Sequence, residues 1–155
     1  MKQCRVLIAG AGIGGLTAAA CLMKAGHHVE IYEQAPALAE IGAGIQISAN
    51  AMHVLRHLGL EAAIATVGVR PGAYEFRLHD TGELIQRFSL SDEHERLHGA
   101  PYTQLHRADL HDVLVAGARA LDPEVVRLDR RVVGFTESAQ GVVLHFADGG
   151  SAAPR

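Results

Sequence analysis

The segment Gly10-Ala11-Gly12-Ile13-Gly14-Gly15 constrains this chain more than any other. It stands between an apolar run, residues 5–10 (RVLIAG), and an alanine- and leucine-rich stretch, residues 13–25, that contains no proline. The run is short, apolar and closed by glycine, as in a strand buried on both faces. The stretch favours helix, and Gly26 stops it. Residues 29–33 (VEIYE) alternate and are partly β-branched, which predicts a second strand. Strand, glycine turn, helix and strand fit within about thirty residues, the span of one βαβ unit.

Each glycine in the pattern G-x-G-x-x-G has a physical task. Gly10 makes the tight bend, Gly12 lets the backbone approach a pyrophosphate, and Gly15 lets the helix pack close to the strand. The helix N-terminus then offers unpaired peptide N–H groups and the positive end of a dipole. Glu33 lies about twenty residues beyond the glycines, where an acid accepts hydrogen bonds from adenosine ribose hydroxyls. An acid there also repels a 2′-phosphate, which disfavours NADP. These residues predict a dinucleotide site. FAD and NAD both carry an ADP half that such a unit would bind, so the motif alone leaves the two open.

The remaining sequence alternates short strands and helices. Ser48 or Asn50 can cap a helix carrying Met52, Leu55 and Leu58 and closed by Gly59. Residues 74–79 and 84–90 flank Asp80-Thr81-Gly82 and predict a hairpin. Residues 91–99 are charged and histidine-rich, a surface loop or a short exposed helix. Residues 102–106 predict a strand that runs into a helix starting near Arg107. Leu110, Val113, Leu114, Gly117, Ala118 and Leu121 lie on one face of that helix. Residues 125–128 are a further short strand, expected to join residues 5–10 and 29–33 in one parallel core. Residues 131–137 and 142–146 form a second hairpin around Gln140-Gly141. The reading is one domain over residues 1–149 with an unstructured tail at 150–155.

Composition narrows the function classes. Apolar residues make up 48% and charged residues 20%, a soluble globular balance, and the net charge of −3 argues against a nucleic-acid partner. No apolar run approaches the roughly 20 residues that span a bilayer. Cys4 and Cys21 suggest no disulfide framework, which fits a reducing cytoplasm. His53 and His57, like His94 and His98, have metal-ligand spacing, but no third ligand accompanies either pair and no metal site is expected. His106 and His111 flank the start of the Arg107 helix and receive no role. Ser48 lacks the G-x-S-x-G of an acyl-transfer nucleophile.

Three further segments carry a family likeness: IGAGIQISAN at 41–50, NAMHVLRHLGL at 50–60, and LHRADLHDVL at 105–114. Together with GAGIGGLTAAACLMKAGHHVEIYE at 10–33, their order resembles the N-terminal part of FAD-dependent single-component aromatic hydroxylases. Salicylate hydroxylases and 3-hydroxybenzoate 6-hydroxylases are the nearest in look, from about Lys2 to Gly149. The resemblance implies an α/β fold, a Rossmann-like FAD-binding (GR2-type) βαβ domain with inserted β-hairpins. It implies that Gly10, Ala11, Gly12, Ile13, Gly14, Gly15 and Glu33 hold the ADP half of FAD. Gly42, Gly44, Ile45 and Gln46 would pass close to the ribityl chain and isoalloxazine, and Arg107 would reach the cofactor at its helix start. A guanidinium fork suits diphosphate oxygens on chemical grounds as well.

The same likeness implies NADH or NADPH as a transient electron donor and a small aromatic acid as substrate. Members of the family continue for roughly twice this length or more, beyond the size of one short domain. The chain is therefore expected to be truncated, without the second FAD fingerprint or the substrate pocket, and no catalytic residue is assigned. An unfinished sheet edge would then be open to self-association. Two other readings stand beside this one. The first is an NAD-dependent oxidoreductase built on the same βαβ unit, and the second a non-catalytic dinucleotide-binding fragment completed by another chain.

Overall fold

A computed structural model describes residues 3–39 and 42–153. The chain opens with β1 (Arg5–Ala9), α1 (Ile13–Lys24) and β2 (His28–Tyr32). There follow β3 (Gly44–Ile47), α2 (Ala49–Leu58), α3 (Glu61–Val67), β4 (Ala73–Arg77), β5 (Leu84–Ser89), α4 (Asp92–His98) and β6 (Thr103–His106). Then come α5 (Arg107–Leu121), β7 (Val126–Arg127), β8 (Val132–Ser138), β9 (Gly141–Phe146) and β10 (Ser151–Ala152). The described residues divide into two compact units, one of residues 3–39 with 111–153 and the other of residues 42–110.

In the first unit β1, β2 and β7 form a parallel sheet in the order β1-β2-β7, the expected three-stranded core. Arg5 lies opposite His28, Ala9 opposite Tyr32, and Ile31 opposite Val126. Val29 and Ile31 of β2 are buried, as are Leu16, Ala19 and Ala20 of α1. The alanines keep that helix face small, so helix and sheet can approach closely. β1 itself is only half-buried, not buried on both faces as its apolar run suggests. Among the described residues it pairs with β2 alone, and its other edge has no strand. β7 is shorter than residues 125–128, because Asp129 adopts a left-handed φ of 55° that turns the chain away.

β8, β9 and β10 form an antiparallel sheet in the order β10-β9-β8. Leu144 and Phe146 of β9 bury themselves with Tyr32, whose ring lies 4.9 Å from that of Phe146. Here the expectation of an unstructured tail is corrected. Residues 148–150 turn tightly, with Gly149 at φ 83°, and the Phe146 N–H donates to the Gly150 carbonyl at 2.9 Å. Ser151 and Ala152 then pair with His145 and Leu144, and Ala152 packs against the Tyr32–Leu144–Phe146 cluster. Burial of a small apolar side chain, together with the ladder hydrogen bonds, orders this segment. Arg155 and Pro154 lie outside the described residues.

In the second unit β3 pairs antiparallel with β6, Gly44 opposite His106 and Ile47 opposite Thr103. Ser48 begins α2 and Gly59, at φ 82°, ends it, with Ala49, Met52 and Leu55 buried. α3 was not anticipated; its Ile64 is fully buried. β4 and β5 form the expected hairpin, and α4 is the short charged helix. On α5, Leu110, Leu114 and Ala118 are buried as expected, but Leu121 on the last turn is 48% exposed. No described helix is long and apolar enough to cross a membrane.

Candidate functional site

The glycine turn joins β1 to α1, and three of its glycines stand in different surroundings. Gly10 adopts φ 97°, a left-handed conformation that side chains rarely tolerate, and its N–H donates to the Tyr32 carbonyl at 2.8 Å. That bond ties the turn to the end of β2. A Cβ on Gly15 would fall on the Gly10 carbonyl oxygen, which is the close helix–strand approach the motif implies. Gly12 differs. Its φ is −71°, and a Cβ built there meets nothing within 4 Å. Neither backbone strain nor packing within the chain requires glycine at this position. The backbone there is open on that side, so a molecule could approach it without meeting a side chain.

No side chain caps α1. Gly12 is its N-cap and the first turn holds no acidic residue. Among the described residues the peptide N–H groups at Ile13, Gly14 and Gly15 therefore have no side-chain acceptor, and the dipole there favours an anion.

Glu33 follows β2 directly. One carboxylate oxygen, Oε2, accepts the Ala11 N–H at 2.7 Å, and the other, Oε1, accepts the Ala35 N–H at 2.9 Å. Each oxygen keeps a further lone pair for another donor. The carboxylate lines a cavity of about 130 Å³ with Ala11, Gly12, Ala35, Leu38 and His111. Among the described residues Glu33 and His111 are its only lining side chains that can hydrogen-bond, so it suits a ligand that brings hydroxyl donors.

His111 was left without a role by the sequence reading, yet it is 3% exposed and its Nε2 lies 2.7 Å from the Ala11 carbonyl oxygen. A carbonyl can only accept, so Nε2 carries the proton and donates. Nδ1 is buried and has no partner among the described residues. One signal was present in the sequence. His111 falls at helical spacing with Leu114, Val115 and Ala118, a polar residue on an apolar face.

In the second unit Gly42 and Arg107 come together. A Cβ on Gly42 would stand 2.7 Å from the Arg107 Cβ, so glycine at 42 makes room for the arginine stem. The Arg107 N–H donates to the Ala43 carbonyl at 3.2 Å. Gly44 is exposed, Ile45 is half-buried opposite Leu105, and Gln46 donates through Nε2 to the Tyr74 hydroxyl at 2.5 Å. Among the histidines, His53 Nε2 bonds to the His98 carbonyl at 2.9 Å, and the His94 and His98 rings lie 4.6 Å apart. No group of three or more His, Cys, Asp or Glu residues suited to a metal ion occurs among the described residues.

The family described as "FAD binding domain" matches residues 3–152. The chain is 43% identical over 148 residues to 3-amino-4-hydroxybenzoate 2-monooxygenase of Streptomyces cremeus, covering 96% of this chain and 37% of that protein. It is 37% identical over 144 residues to 3-hydroxybenzoate 6-hydroxylase 1 of Aquipseudomonas alcaligenes, covering 93% and 36%. Among solved structures, Klebsiella pneumoniae HpxO complexed with FAD and uric acid superposes with a TM-score of 0.84 at 30% identity, covering 97% of this chain and 37% of that one. The chain thus spans a little over a third of the length of these relatives. With the family match spanning nearly the whole of its length, this chain belongs to the FAD binding domain family.

Proposed function

We propose that the glycine turn, the first turn of α1 and Glu33 hold the ADP half of FAD, in service of an NAD(P)H-dependent flavoprotein monooxygenase that hydroxylates an aromatic acid. The observation that carries the reading is Gly12. Neither packing nor backbone conformation requires a glycine there, whereas Gly10 has a left-handed φ and a Cβ on Gly15 would strike the Gly10 carbonyl.

The roles follow from the local chemistry. The N–H groups of Ile13, Gly14 and Gly15 bind pyrophosphate oxygens, with the helix dipole favouring that charge. Gly12 keeps the backbone clear for the approach, and Ala11, held at both its N–H and its carbonyl, gives the turn one shape. Glu33 accepts the adenosine ribose hydroxyls and repels a 2′-phosphate, so the site prefers FAD to a phosphorylated dinucleotide. Gly42, Gly44, Ile45 and Gln46 are proposed to lie along the ribityl and ring end. Arg107, whose stem packs on Gly42, contributes positive charge to that same cofactor. When bound, FAD supplies hydride acceptance and O₂-dependent ring hydroxylation, chemistry that side chains lack. Cys4 and Cys21 form no disulfide among the described residues, which fits a reducing, cytoplasmic setting for such an enzyme.

Parallel titrations of the purified chain with FAD and with NAD, read by flavin fluorescence and calorimetry, test the proposal. Saturable FAD binding with weaker NAD binding is the expected result. NAD bound tightly and FAD not at all would replace it with the NAD-dependent reading.

A further inference from the structure

We propose that His111 is a positioning residue of the dinucleotide site, locking the glycine turn through the Ala11 carbonyl. This inference rests on the FAD reading above and extends it to a residue outside the fingerprint.

Among the described residues, side chains grip Ala11 on both sides of its own backbone. Glu33 Oε2 takes its N–H at 2.7 Å, and His111 Nε2–H donates to its carbonyl at 2.7 Å. The two peptide planes that meet at Ala11 are therefore both held, and the second of them carries the Gly12 N–H at the open face. A peptide plane has one soft rotation on each side, so fixing its carbonyl also fixes the direction of its N–H. The grip is buried, with Ala11 2% and His111 3% exposed, which shields the bond from competition by water. The imidazole also lines the cavity that Glu33 lines.

Its Nδ1 is buried and unpartnered among the described residues, so the Nε2–H tautomer is the one that fits. His111 thus acts on the cofactor through the backbone of Ala11 and Gly12, by preorganising the turn before a ligand arrives.

Three chains test this: wild type, His111→Gln, which retains an N–H donor, and His111→Met, which keeps bulk and loses the donor. Each is titrated with FAD, with ADP and with FMN, and its thermal unfolding is recorded without ligand. His111→Met should weaken FAD and ADP alike by about tenfold, the loss expected on removing one hydrogen bond that shapes a binding loop. His111→Gln should recover most of that loss. FMN, which lacks the adenosine half, should respond to neither substitution.

A purely structural role predicts the opposite pattern, in which losses follow the unfolding midpoint and glutamine does not rescue. Equal FAD and ADP affinities for wild type and His111→Met overturn the proposal. If wild type itself binds neither FAD nor ADP, it is the FAD reading that fails. Should His111→Met not fold, nitrogen-detected imidazole spectra of the wild-type chain decide. The expected result is the Nε2–H tautomer at neutral pH, with ring signals that move on saturation with ADP. An Nδ1–H tautomer, or a ring unmoved by ADP, overturns the proposal.

Discussion

The Glu33 carboxylate receives the Ala11 N–H at 2.7 Å, so the acid that ends β2 is also a strut of the glycine turn. Glu33 therefore carries two tasks that mutation can separate. Glutamine at this position keeps one acceptor oxygen but loses the charge. We expect Glu33→Gln to cost about 2 kcal/mol of stability, within the range for a hydrogen bond to a charged acceptor. It should also change ligand choice. Calorimetry with ADP and 2′-phospho-ADP should show the preference for the unphosphorylated ligand fall about tenfold.

Gly12 and Gly15 are both glycines of one motif, yet they should fail differently. An added Cβ has open space at Gly12 and collides with the Gly10 carbonyl at Gly15. Gly15→Ala should therefore lower stability by about 3 kcal/mol, as overpacking against backbone does. Gly12→Ala should unfold like the wild type and lose FAD binding by more than about tenfold. Equal unfolding and equal FAD affinity for Gly12→Ala would mean that no ligand lies against that face.

The Arg5–Glu30–Tyr32 cluster sets a pH dependence on the first unit. Burial pushes the Glu30 carboxyl up, but hydrogen bonds from Tyr32 and Arg5 and the nearby guanidinium charges outweigh it and hold the group below its ordinary range. A carboxyl depressed in the folded state stabilises the fold above its unfolded value, and that stabilisation is lost as pH falls through the folded one. The unfolding midpoint should therefore drop on acidification below about pH 4. Glu30→Gln should shallow that drop without abolishing it, because Glu61 and Glu75 are lowered in the same way by their arginines.

The Tyr32 phenol carries the alkaline limb. Burial and its bond to Glu30 push it up to about 12, so its contribution persists through neutral pH and is lost as pH rises through that value. Ultraviolet titration should find this tyrosine ionising last, and Glu30→Gln should bring it down.

Phe146→Ala tests the small cluster that orders the end of the described chain. It removes a ring that is 7% exposed and packed on Tyr32, and about 3 kcal/mol of destabilisation is expected. Amide exchange at Ser151 and Ala152 should quicken in the same variant, because Ala152 rests on that cluster.

The βαβ unit was legible in the sequence because its signals are local. A glycine turn, an alanine-rich helix and a β-branched strand each declare themselves within a few residues. The hairpins at β4–β5 and β8–β9 were legible for the same reason. What escaped depends on distant partners. β3 is four residues long, contains glycine, and is a strand only because residues 103–106 pair with it. α3 starts at Glu61 behind Leu60, an N-cap whose apolar side chain cannot mark it. β10 exists because Ala152 has a cluster to cover.

The site divides along the same line. Gly10, Gly12, Gly15 and Glu33 could be assigned from spacing, since the chemistry of the motif fixes where each must stand. The reason for glycine at 42 lies partly in its contact with Arg107, which no spacing reveals. His111 meets Ala11 across 100 positions of sequence, and only folding brings the two together.

The most direct test of the central claim is a competition between FAD and ADP on the wild-type chain, followed by flavin fluorescence. If the glycine turn and Glu33 hold the adenosine half, ADP will displace bound FAD completely and FMN will not. FAD that stays bound through saturating ADP, or that FMN displaces instead, would contradict the assignment and move the anchoring site away from the turn.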